Sequence, residues 1–253
     1  MIKGFFMAWG CFCAVPCPLK LWDEQARKWM LAMFPLVGGL MGLGWYGIAL
    51  LLVHFSVFPA ISGVVLCAYP FFVSGCIHLD GFMDCSDAIL SRRDLAKRQE
   101  ILKDSHVGAF AVISLCFMLL FFFAGAEAMI SEGNREKFLL LIAVMPLVRG
   151  VSALTVLLAK PISASQYKAS FGGKRKIYVW TITIILALFV TGVSWLLLRG
   201  GQGSLAMTLV APPVAAALAM TYGRRSLGGM SGDISGYGIV FGELIGMLTI
   251  ALV

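Results

Sequence analysis

Charge is scarce in this 253-residue chain: Asp, Glu, Lys and Arg make up 13% of it, about half the share found in a soluble globular domain. So few charges cannot cover a water-facing surface. Histidine is rarer still, at three, and the seven cysteines (11, 13, 17, 67, 76, 85 and 116) contain no CxxC pair. A zinc site and a disulfide framework are both excluded on that spacing, leaving reduced thiols that act mostly as small apolar fillers. Collagen-like and disordered compositions are excluded as well, no internal repeat is evident, and no linker divides the chain, so residues 1–253 read as one unit. What the chain has is apolar bulk: 60% of its residues belong to the AVILMFWYC set, and its mean hydropathy is +0.91. Lipid-exposed backbone must satisfy its own hydrogen bonds, so the expected fold is all-α, a polytopic membrane bundle with membrane lipid as its surroundings.

Runs long enough to cross the hydrocarbon lie near 34–53, 57–77, 107–130, 138–159, 177–198, 204–222 and 237–253, about seven spans. Residues 1–18 carry Lys3 and a short apolar run without a small-x-small cleavage site. They read as an uncleaved interfacial or re-entrant helix. Seven spans put sixteen of the twenty Lys and Arg residues on one side and three (Arg135, Lys137 and Arg199) on the other, with Arg149 inside a span. The positive-inside bias makes the rich side cytoplasmic. The same bias accounts for the net charge of +7, so no nucleic-acid partner is expected. The longer connections, 78–106, 160–176 and 223–236, fall on that side, where any chemistry with soluble substrates belongs.

Three of the thirteen acidic residues stand together in His78-Leu79-Asp80-Gly81-Phe82-Met83-Asp84-Cys85-Ser86-Asp87. On a helix at about 100° per residue, Asp84 lies about 40° from Asp80 and Asp87 about 20° to the other side, so all three share a face. Like charges so placed repel. A divalent cation relieves that repulsion, and hard oxygen donors suit Mg²⁺ or Mn²⁺. The plain alternative is a solvated acidic helix start favoured by the helix dipole. His78 is compatible with metal binding, proton transfer or an interfacial cap.

Further on, Lys103-Asp104-Ser105-His106 precedes the third span, with Asp104 either a further acidic ligand or a helix cap. Arg98 and its basic neighbours are placed to meet phosphates or simply follow the charge bias. Arg149 and Glu243 are costly inside spans and therefore candidate functional residues. Glu127, near an outer end, can reach water. The loop 228–236, with Gly229, Gly232 and Asp233, can offer backbone N–H groups to phosphate. Phe171-Gly172-Gly173-Lys174-Arg175-Lys176 is a second loop of that type.

These stretches, with Phe34-Pro35-Leu36-Val37-Gly38-Gly39 and Pro146-Leu147-Val148-Arg149, resemble the adenosylcobinamide-GDP ribazoletransferase family, the membrane cobalamin synthases. The likeness runs along most of the chain. It departs at His106, where an arginine is usual, and at Ser231, where a threonine is usual. The resemblance implies a Mg²⁺-dependent transferase in which a ribose hydroxyl of α-ribazole or its 5'-phosphate attacks the cobinamide-linked phosphorus of adenosylcobinamide-GDP and GMP leaves. It points to Asp80, Asp84 and Asp87 as metal ligands, and to these with His78 and Asp104 as the catalytic set. Arg98, Lys103, Arg149, Gly229, Gly232, Asp233 and Glu243 are then the substrate-binding candidates. Two rival readings are a CDP-alcohol phosphotransferase, whose Asp-Gly-x-x-Ala-Arg element is absent, and an ion-coupled transporter using Arg149 and Glu243. The oligomeric state, a homo-oligomer included, is left open.

Overall fold

The computed structural model describes residues 1–162 and 175–253. Lys168, Lys174 and the glycines of the 171–174 basic loop lie outside the described residues. Ten α-helices follow one another among those residues: α1 (Ile2–Phe12), α2 (Arg27–His54), α3 (Pro59–Val73), α4 (Ile77–Leu90), α5 (Leu95–Ile101), α6 (Ala109–Glu132), α7 (Arg135–Leu158), α8 (Arg175–Arg199), α9 (Ala211–Leu227) and α10 (Gly232–Leu252). A 3₁₀ segment, Gly203–Val210, runs into α9. The tighter turn ends where Pro212 and Pro213 occupy the first turn of α9, positions where a missing N–H costs nothing.

Among the described residues six helices are long and apolar enough to cross a membrane, with the 3₁₀ segment and α9 counted as one. A seventh is added if α3 and α4 form a single broken span. The chain is therefore a polytopic all-α membrane protein. α1 has 11 residues, about half of what a crossing needs, and packs against α2.

The expected span 57–77 takes a different form. Its helix, α3, stops at Val73, and α4 leaves at 91° to it. The cause is local: Gly75 (φ +63°) and Cys76 (φ +59°) are both left-handed, a conformation glycine adopts freely and cysteine only at a cost. Apolar periodicity runs through this point and gave no sign of the corner. The other difference is at the end of the chain. α10 begins at Gly232, capped by Ser231 Oγ, which accepts from Ile234 N, so Gly232, Asp233 and Gly236 belong to the helix and the loop is only Gly228–Ser231.

α7 and α10 form the buried centre, and α8 is the least buried of the six candidate spans. α2 packs along α7, where an added methyl at Gly38 or Gly42 would collide with the Met145 or Ile142 carbonyl, the close backbone approach that small residues allow between membrane helices. Trp45 donates from Nε1 to the Leu66 carbonyl at 3.0 Å, and Phe122 packs against both Trp45 and Phe71. Lys137 is buried where α6 turns into α7 and pairs with Glu132. The connection before α10 is fixed to the one after α7: Met230 N donates to Lys160 O at 2.9 Å and Ile162 N to Met230 O at 3.0 Å.

Candidate active site

α4 carries Asp80, Asp84 and Asp87 as one helical face, since all three fall within a single regular helix. Asp80 is exposed and the other two are half-buried. The first turns of α4 and α10 lie close together. An added methyl at Gly81 would lie 2.8 Å from the Asp233 Cα, and one at Gly236 would lie 2.7 Å from the His78 carbonyl oxygen. Those two glycines bring a fourth carboxylate, Asp233, to the acidic face from about 150 residues away. Asp84 lies within electrostatic reach of Asp80, Asp87 and Asp233. Below them Phe82 stacks on Tyr237 at 5.7 Å and packs against Phe241, so an apolar zip holds the two acidic helix starts together.

Asp87 packs its carboxylate against Gly108, the N-cap of α6, where the positive end of a 24-residue helix favours an anion. Asp104 is exposed and accepts from His106 N at 3.0 Å, with the His106 ring Nδ1 at 2.6 Å. That hydrogen bond raises the His106 pKa above its usual value and lowers the Asp104 carboxyl below its own. Asp104 therefore shapes its own turn, and Lys103 beside it is exposed. Arg98 Nη1 donates to the Ser226 carbonyl at 3.3 Å, and Gln99 to that of Leu227 at 2.8 Å, closing the C-terminus of α9. Gly229 is pressed against the Pro161–Ile162 backbone. Gly232 is exposed beside Asp233.

Arg149 and Glu243 meet each other: Nη1 donates to Oε1 at 2.6 Å with both side chains sealed in the core. Glu243 thus supports α7 against α10 and is not part of the acidic face. Two guanidinium nitrogens, Nε and Nη2, have no partner among the described residues, and the guanidinium carbon lies 5.8 Å from the Phe34 ring. His78 packs against that same ring, and its buried Nε2 has no partner among the described residues.

Beside the acidic face is a cavity of about 520 Å³. Asp80, Asp233, Ser231 and Gly232 line it, together with His78, Phe12, Phe34 and the Ser152–Ser235 pair. Phe12 and Ser152 were not singled out from the sequence, because each stands alone in an apolar run and they converge only through folding; Ser235 and Arg175 were noted only as members of the two glycine-containing loops.

Among the described residues no three His, Cys, Asp or Glu side chains converge on one metal-binding point. The carboxylates are available in ones and twos, which is how Mg²⁺ is usually held, with phosphate oxygens and water completing its shell. The hard-oxygen donor set fits that ion.

A helical membrane bundle that gathers four carboxylates beside a cavity, two of them lining it, has the layout of a membrane-embedded enzyme. The comparisons are more specific. A cobalamin-5-phosphate synthase family profile matches residues 4–251, and the chain belongs to that family, enzymes of cobalamin biosynthesis. Relatives named adenosylcobinamide-GDP ribazoletransferase include one from Clostridium botulinum, 31% identical over 100% of this chain and 98% of its own. One from Clostridium perfringens is 31% identical over 99% and 98%, and one from Halalkalibacterium halodurans 31% identical over 96% and 93%. No solved structure matches.

Proposed function

We propose that this chain joins adenosylcobinamide-GDP to α-ribazole or its 5'-phosphate, giving adenosylcobalamin or its 5'-phosphate and GMP. The observation that carries the reading is the acidic face of α4 set against the start of α10 at the cavity mouth, in a chain of this family. A ribose hydroxyl oxygen forms a bond to the cobinamide-linked phosphorus, the bond from that phosphorus to the bridging oxygen breaks, and GMP leaves with the bridging oxygen and the electron pair. The hydroxyl proton passes to a carboxylate of the acidic face or to His78.

Asp80, Asp84 and Asp87 would hold Mg²⁺ singly or in pairs, beside Asp233, with phosphate oxygens and water completing its shell. Bound there, the ion supplies neutralisation of the charge that develops on the diphosphate. The protein's own part is to align hydroxyl, phosphorus and leaving oxygen, the dominant contribution in phosphoryl transfer. The substrates are soluble nucleotides, so the acidic face opens to the cytoplasm, in keeping with the basic loops on that side.

The family assignment favours this reading over a CDP-alcohol phosphotransferase. The mutual pairing of Arg149 and Glu243 removes the main motive for a transporter, since each charge already has its counter-ion. The test is GMP release by the purified protein in lipid nanodiscs given adenosylcobinamide-GDP, α-ribazole phosphate and Mg²⁺. Absence of GMP in preparations that remain folded would overturn it.

A further inference from the structure

The cavity is two-sided. Toward α1 and α2 its wall is apolar, formed by Phe12, Phe34, Leu31 and Leu157; toward α10 it is polar, with Asp80, Ser152 and Asp233, and Arg175 also lines it. Three rings meet on the apolar side: Phe12 lies 4.6 Å from Phe34, tilted 46° to it, and 6.3 Å from His78, nearly parallel to the latter, and Phe34 lies 5.9 Å from His78 at a tilt of 58°. These separations leave no room for another ring between them, so a planar ligand packs against the group. A volume of about 520 Å³ suits a nucleoside of about 20 non-hydrogen atoms, while the far larger corrinoid is outside the size that such clefts enclose.

We infer that this cavity holds α-ribazole, its aromatic base against Phe12, Phe34 and His78 and its ribose toward Ser152 and Ser235. The inference rests on the ribazoletransferase reading, and deepens it by assigning one substrate to one pocket. Base polarity decides between the two nucleosides of the reaction. Guanine carries donors and acceptors around most of its edge, each costly to bury unpaired. The dimethylated benzimidazole of α-ribazole presents two methyl groups and one free ring nitrogen. The wall offers apolar rings and, on His78, one buried nitrogen without a partner among the described residues. The corrinoid and its guanine nucleotide then approach from the open side, meeting the acidic face from outside. α1 also gains a function: it is too short to cross the membrane, and its last residue, Phe12, completes the base wall.

The test is equilibrium binding of α-ribazole, and separately of GMP, to the protein in nanodiscs with EDTA present, which reads the pocket without turnover. Phe12→Leu keeps apolar volume and removes the ring, and Leu31→Trp fills the pocket from α2. Both are expected to weaken α-ribazole binding about tenfold while leaving GMP binding unchanged. In turnover assays the KM for α-ribazole rises to match, with the KM for adenosylcobinamide-GDP held. Unchanged α-ribazole affinity in a folded variant of either kind, or a selective loss of GMP binding, overturns the inference. Wild-type protein that binds α-ribazole in this pocket yet releases no GMP would instead overturn the reaction assigned above.

Discussion

Arg149 Nη1 donates to Glu243 Oε1 at 2.6 Å across the α7–α10 contact, with both side chains sealed from solvent. Removing one partner of a buried pair strands the other charge, at a cost of about 3–5 kcal/mol, whereas an apolar replacement of both can be nearly neutral. Glu243→Gln and Arg149→Met are each expected to lower the thermal unfolding midpoint in detergent sharply. The Arg149→Met/Glu243→Leu double variant should regain much of that loss. A double variant less stable than both singles would show that the pair acts independently in the two helices.

Asp80→Asn and Asp84→Asn should each reduce GMP release by on the order of 10²-fold, because each removes a negative oxygen donor at nearly constant volume. Circular dichroism and size-exclusion profiles should stay as in the wild type. Near-normal turnover in both would return the acidic face to a solvated helix start.

Gly81→Ala tests the approach of α4 to α10. The new methyl would lie 2.8 Å from the Asp233 Cα, backbone that cannot swing aside, so the helix starts must part at a cost of about 1–3 kcal/mol. Activity should fall with it. Cysteines at 84 and 233, in a background free of native thiols, should crosslink with a short reagent less readily once Gly81→Ala is added.

The pairing of His106 with Asp104 sets a pH window. The His106 pKa is raised above the usual 6.5 by the hydrogen bond to Asp104, so its contribution to the 103–107 turn is complete below pH 6.5 and fades as pH rises through the higher folded value. An NMR titration of the imidazole protons should give that raised value, and Asp104→Asn should return it toward the ordinary range. Identical titration in the variant would break the assignment. Turnover should change little, since both side chains are exposed and engaged with each other.

The all-α membrane architecture was legible in the sequence because spans announce themselves by length and hydropathy, and the acidic face because a four-then-three spacing has one meaning on a helix. The corner at Gly75 and Cys76 was not, since two left-handed residues leave the apolar pattern unbroken. The approach of Asp233 to Asp80 could be proposed from charge and side of the membrane, yet the glycines that permit it become meaningful only once Gly81 is seen facing α10. Arg149 and Glu243 illustrate the opposite limit. Their intramembrane position marked both as candidates for substrate, but each was the other's missing partner, a relation across 94 positions that no local pattern records. Phe12 and Ser152 carry no local chemistry at all, and only packing brings them to one cavity.

The right-angled corner between α3 and α4 has a consequence for how a bulky substrate is handled. A row of carboxylates continuing the direction of a span would descend into the bilayer, each at a different dielectric. Turned through 91°, the same row runs crosswise to α3 and stands at one level whenever α3 is upright. For the reaction proposed above, a substrate laid along such a row would keep one depth from end to end.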